Sequence, residues 1–110
     1  MATTVLVNSV SSSLANTIQS FYNSPSGGGG TIITAFTATN NTGANASYRA
    51  YIFDASGAIL GAVLPLKVVI RNRFDPGNAI VNQVIPQGGS LQMETNIIGA
   101  IDFRVTGNEL

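Results

Sequence analysis

Phe21-Tyr22-Asn23-Ser24-Pro25-Ser26-Gly27-Gly28-Gly29-Gly30-Thr31-Ile32-Ile33-Thr34-Ala35-Phe36-Thr37-Ala38-Thr39-Asn40-Asn41-Thr42-Gly43 is the stretch on which the fold of this chain turns. An aromatic pair ends one strand. Pro25 stops pairing because it has no N–H to donate, and the four glycines supply a turn without Cβ restrictions. Thr31 to Asn40 is rich in β-branched residues and reads as the clearest strand. Strict alternation puts Ile32, Phe36 and Ala38 on one face and Ala35, Thr37 and Thr39 on the other. Asn40 to Asn45 then turns the chain, since Asn and Gly tolerate positive φ and Asn side chains bond nearby backbone. The whole unit is a hairpin or sheet crossing written in uncharged residues.

A glycine run raises the question of a phosphate cradle. That device needs a following Lys-Ser/Thr and a helix whose amides converge on the anion. Here Thr31-Ile32-Ile33 follows, with no lysine nearby, so the run reads as a loop.

Further strands lie on both sides. Val5, Leu6 and Val7 suggest a short first strand at an edge, and Thr17 to Tyr22 a second, joined by the polar connection Ser11 to Asn16. Residues Ala46 to Phe53 alternate Tyr48, Ala50 and Ile52 against Arg49, Tyr51 and Phe53. An aromatic on each face implies that the outer face is covered too. Asp54-Ala55-Ser56-Gly57 is a turn. Ile59 to Leu64 is apolar and meets Pro65, which marks a bend or an edge. Leu66 to Phe74 reads as extended, and on it Lys67, Arg71 and Arg73 share one face with Val69. Asp75-Pro76-Gly77-Asn78 turns the chain, Ala79 to Ile85 pairs Ile80 and Val84 against Val81 and Ile85, and Pro86-Gln87-Gly88-Gly89 turns it again. Ser90 to Glu94 is a short strand. Ala100 to Thr106 alternates Ile101, Phe103 and Val105 inward with Asp102, Arg104 and Thr106 outward. Seven or eight short strands separated by turns make an all-β chain, an antiparallel β-sandwich of the jelly-roll or Ig-like kind.

The 110 residues form one domain, residues 1–110, with 1–16 as a possible N-terminal arm. A chain of this size buries roughly 65% of its unfolded surface, enough for a core without staples. There is no cysteine for disulfides or thiolate metal sites, and no histidine, the commonest general base and metal ligand. Charged residues are 9% of the chain, and five basic residues balance five acidic ones. No long-range field draws the chain to nucleic acid or to an anionic membrane. Hydrophobic residues at 45% argue against disorder. A near-neutral surface with so few charges is best matched by burial in an assembly, the alternative being a hydrophilic Ser/Thr/Asn coat. No secretion signal or membrane span is visible, so synthesis in a cytoplasm is expected. Asn40-Asn41-Thr42 and Asn45-Ala46-Ser47 fit the glycosylation pattern but read as turns.

Chemistry is harder to place. Asp54, Asp75 and Glu109 lie at turns or the C-terminus, and Glu94 and Asp102 on different strands. No clustered spacing points to a carboxylate pair or a cation cage. Serines lack a histidine partner, and the single lysine, Lys67, has no motif around it. The expectation is a non-enzyme without cofactor or metal. Lys67, Arg71 and Arg73, three of the five basic residues, read either as a solvated strand face that blocks edge pairing or as a patch docking an acidic surface.

Two pieces of the chain together resemble small virion proteins of tailed bacteriophages. In these, an aromatic–Tyr–x–x–Pro turn, here Phe21-Tyr22-Asn23-Ser24-Pro25, leads into a strand ending in Thr-Asn-x-Thr-Gly, here Thr39 to Gly43. The later half resembles Asn82-Gln83-Val84-Ile85-Pro86-Gln87-Gly88-Gly89-Ser90-Leu91. The matched pieces cover about half the chain, and Ile59 to Asp75 lies outside them. The resemblance implies a capsid cement or decoration protein, or a head–tail neck, tail or fibre component, located in the virion. Its partners would be the major capsid protein or other virion proteins and further copies of itself, a trimer being favoured. Val5 and Val7, in an arm from Ala2 to Val7, and Lys67, Arg71 and Arg73 are the candidate partner contacts. A carbohydrate-binding module is the alternative of another class; without tryptophan it would rest on Tyr22, Tyr48 and Tyr51.

Overall fold

A computed structural model describes residues 3–77 and 79–110, apart from the side chains of 61–65. Ala2, Asn78 and the side chains of 61–65, most of the apolar run before Leu66, thus lie outside the described residues. The strands are β1 (Thr4–Ser11), β2 (Gln19–Asn23), β3 (Thr31–Asn40), β4 (Ala46–Phe53), β5 (Ile59–Val69), β6 (Phe74–Asp75), β7 (Val84–Ile85), β8 (Ser90–Thr95) and β9 (Ile101–Glu109). All pairings are antiparallel. Among the described residues there is no α-helix, so none is long and apolar enough to cross a membrane.

The pairing has a simple logic. β4 and β5 form an inner hairpin, and the same two-ribbon pairing continues outward as β3 with β6 and β7, β2 with β8, and β1 with β9. Successive ribbon pairs fall in alternate sheets, giving the orders β1-β9-β3-β6 and β2-β8-β4-β5. This double wrapping is the connectivity of a jelly roll rather than an Ig-like sandwich. β6 and β7 both pair with β3 and are two pieces of one edge position, so nine stretches fill eight places.

The core shows why the alternation matters. Ile101, Phe103 and Val105 of β9 are fully buried, as their spacing predicts. The Phe103 ring meets Phe21 at 5.1 Å, Tyr48 at 5.4 Å and Phe36 at 6.0 Å, joining four strands from both sheets. Such edge-on and tilted contacts stabilise beyond the area they bury. On the other side of β4, Tyr51 is buried beside the half-buried Phe53, with ring centroids 6.4 Å apart, while Arg49 is exposed.

Three expectations change. Ile33, not Ile32, is the buried partner of Phe36 and Ala38, because a bulge between Ile33 and Ala35 resets the parity of β3. Gly107 sits opposite this bulge; a Cβ there would stand 2.3 Å from the Ile32 carbonyl oxygen. Second, Ala79 to Ile85 is mostly turn, and only Val84–Ile85 is strand. Asn82 takes a left-handed φ of 72°, and its N–H still bonds Ile33 O at 2.7 Å. Third, the strand does not resume after Pro65 to run on to Phe74. β5 passes through Pro65 as one edge strand and ends at Val69, consistent with proline's confinement to edges.

Candidate functional site

The site builds from the end of β5. Asn40, with no exposed surface, closes β3 and gathers the turns around it. Its Nδ2 donates to Ala44 O at 2.8 Å and Val69 O at 2.9 Å, and its Oδ1 accepts from Thr42 N and Thr42 Oγ1. Its backbone N–H donates to Arg73 O at 2.9 Å. Arg71 N donates to Asn45 Oδ1 at 3.1 Å, and Arg73 N to Ile70 O at 3.0 Å. With Asn72 at φ 56°, the chain makes a tight corner between β5 and β6 that the Asn40-Asn41-Thr42-Gly43 turn holds in place. Both glycosylation-like asparagines are committed to this corner.

The corner carries an exposed apolar strip. Leu66, Val68, Ile70 and Phe74 are between 55% and 66% exposed, while Val69 beneath them is buried. Val68, Val69, Ile70, Arg73, Phe74 and Asp75 line an open concavity of about 220 Å³. Contiguous exposed apolar surface of this kind marks an interaction site more often than isolated apolar residues do.

The predicted contact residues are only partly united here. Lys67, Arg71 and Arg73 are all exposed and lie at this corner, but not on one strand face. Lys67 is on β5, opposite Tyr48; Arg71 lies in the turn; Arg73 precedes β6. The left-handed Asn72 breaks the extended run that their shared face assumed. Val5 is exposed on β1, whereas Val7 is 2% exposed and packs in the core, so Val7 is not a surface contact. β1 pairs with β9 from Thr4 to Ser11 and is an integral edge strand rather than a loose arm. The apolar residues at the even positions 66, 68, 70 and 74, between the basic ones, are the signal in the sequence for this strip.

Elsewhere several polar side chains pair with one another, while the buried Asn108 Oδ1 has no hydrogen-bond partner among the described residues. Tyr48 donates to Asp75, Tyr51 to Glu94, Tyr22 to Glu109, and Asn41 Nδ2 to Asp102. Asp54 caps its own turn, and the Ser56 hydroxyl, followed by backbone amides, holds its carboxyl below its usual range. Desolvation, then the bond to Glu109, pushes the Tyr22 hydroxyl up to about 12; burial, then Asp75, raises Tyr48 further still. Among the described residues no three His, Cys, Asp or Glu side chains gather as a metal site. The glycine run holds Leu110, with Gly29 N donating to Leu110 O and Leu110 N to Gly30 O. A second, smaller concavity of about 170 Å³ is lined by Asn16, Ser47, Arg49, Leu66, Glu94 and Asn96 among others.

Comparison with protein-family models, curated proteins and solved structures gives no match to this chain.

Proposed function

We propose that this chain is a non-enzymatic structural protein of a bacteriophage particle, a cement or decoration protein that binds and stabilises the shell of major capsid protein. The observation that carries the interaction role is the apolar strip Leu66, Val68, Ile70 and Phe74 beside Lys67, Arg71 and Arg73, mounted on a corner fixed by Asn40. A surface that is rigid before binding loses little conformational entropy on docking. The phage assignment rests on the resemblance of Phe21 to Gly43 and Asn82 to Leu91. Many copies, and self-association as a trimer, would turn individually weak contacts into firm attachment.

A carbohydrate-binding role finds less support. Tyr48 is 1% and Tyr51 9% exposed, and the half-buried Tyr22 hydroxyl bonds Thr31 and Glu109, so no tyrosine offers an open stacking face. The second reading is a neck, tail or fibre component. Copy number separates it from cement. Quantitative mass spectrometry of purified particles should find hundreds of copies, and particles lacking the chain should lose heat stability. Six or twelve copies would move the protein to the neck or tail; none would reject the virion reading.

A further inference from the structure

We infer that the concavity at the β5–β6 corner receives one bulky apolar side chain from a partner protein whose flanking residues are carboxylates. The inference deepens the interaction reading above and does not need the partner to be a capsid subunit. Size comes first. A cavity of about 150 Å³ walled by aliphatic and aromatic groups accommodates a benzene ring, and this concavity is about 220 Å³. Its walls are Val68, Ile70 and Phe74 over a floor of buried Val69. An inserted leucine or phenylalanine would cover apolar surface on both sides, the usual anatomy of an interface anchor.

Charge chooses the neighbours of that anchor. Arg73 and Asp75 both line the concavity, and the exposed Lys67 and Arg71 are the chain neighbours of its lining residues Val68 and Ile70. Asp75 already accepts the Tyr48 hydroxyl. The segment 66–75 thus carries three cations against one carboxylate, on a chain whose overall charge is zero. An acidic segment gains from all three cations, and a basic one is repelled, which sets both encounter rate and register. A second copy of the chain fits less well, because two such corners would bring the same cations together. Strand addition along the whole of β5 is opposed by Pro65 and by the three register shifts between β4 and β5. The corner takes a side chain, not a strand.

The test uses the full chain labelled with ¹⁵N and three capped hexapeptides: Glu-Glu-Leu-Phe-Glu-Glu, Glu-Glu-Ser-Ser-Glu-Glu and Lys-Lys-Leu-Phe-Lys-Lys. The first should shift amides confined to residues 66–75, more weakly as salt rises, and the other two should not. Val68→Glu, and separately the double change Arg71→Glu with Arg73→Glu, should weaken binding at least about tenfold, as loss of roughly 1.4 kcal/mol or more requires. Unchanged circular dichroism would show that these exposed variants still fold. Equal binding of the lysine peptide, shifts elsewhere, or no shift at millimolar peptide would overturn the inference. So would sedimentation showing an oligomer that Val68→Glu dissociates, since a second copy would then fill the corner. Loss of peptide binding by Val68→Glu, with the variant still entering particles at normal copy number, would keep the inference and leave the virion role intact. Absence of the wild-type chain from particles would reject that role alone.

Discussion

The two long sides of the sandwich are built from the same kind of edge strands and end differently. On the β1–β2 side, Phe21 reaches between the sheets and meets Phe103 edge-on, and Ser12 and Thr95 bond across as buried hydroxyls. On the β5–β6 side, β6 is two residues long, and Tyr48 of β4, the strand next to edge strand β5, donates to Asp75 of β6. One side is plugged by a ring; the other is tied by a hydrogen bond, leaving Val68, Ile70 and Phe74 in solvent. The difference teaches that an open edge need not be a loose one. Asn40 satisfies the backbone around the opening, so the apolar groups are exposed on fixed geometry.

The comparison breaks most severely at its fixed point. Asn40→Ala strands buried donors and acceptors at Val69, Ala44 and Thr42 and should cost about 4 kcal/mol in urea unfolding. Hydrogen exchange should quicken at residues 68–75 far more than at 4–11; equal quickening would mean that Asn40 does not act on one side. Phe21→Ala is the mirror experiment. Removing the plug should cost about 3 kcal/mol and loosen β1 and β2 while sparing the corner. Gly77→Ala comes next, because its Cβ would stand 2.3 Å from Phe36 Cδ1 at a φ of +58°. About 2 kcal/mol is expected, and a neutral result would show that the turn after β6 can shift.

Tyr48→Phe removes the tie on the open side and should cost about 1 kcal/mol near neutral pH. The alkaline limb sharpens the point. Tyr22 and Tyr48 both ionise above their usual value of 10.0 when folded, Tyr22 at about 12. Their contribution is thus full below about pH 10 and is lost as pH climbs toward and through 12. Wild-type stability should decline over that window, and Tyr22→Phe and Tyr48→Phe should each flatten the decline. An unchanged slope in both would mean that folding, by burial and then by the carboxylate bond, raises the pKa of neither hydroxyl. The smallest effect belongs to Phe74→Ser. Stability should stay within about 0.5 kcal/mol of wild type, since the ring is already in water. A clear loss would show that Phe74 serves the core rather than the surface.

Much of the scaffold was legible along the chain. β3 and β4 run between the residues that propensity and turn chemistry picked, because ten and eight consecutive residues gave unambiguous β-branched and alternating signals. The corner was half legible: Lys67, Arg71 and Arg73 stood out as the chain's one charge cluster. Their shared face failed because one left-handed asparagine is a local choice that Asn permits but does not announce. Val7 was misplaced for a related reason. Three apolar residues in a row do not say which faces the core, and the irregular pairing of β1 with β9 decides it.

By itself, then, the sequence determined an all-β sandwich of seven or eight short strands, turns at Asn, Gly and Pro, and a surface poor in charge. These follow from local sterics and from side-chain periodicity, which act within a few residues. Only the tertiary structure decided which sandwich it is, which edge stays open, and which apolar side chains stand outside. Those depend on pairings between residues as distant as Thr4 and Gly107, and on a bulge that exchanges the two faces of β3. Such pairings minimise unsatisfied backbone and exposed apolar surface over the whole chain at once, and no single stretch encodes that minimum.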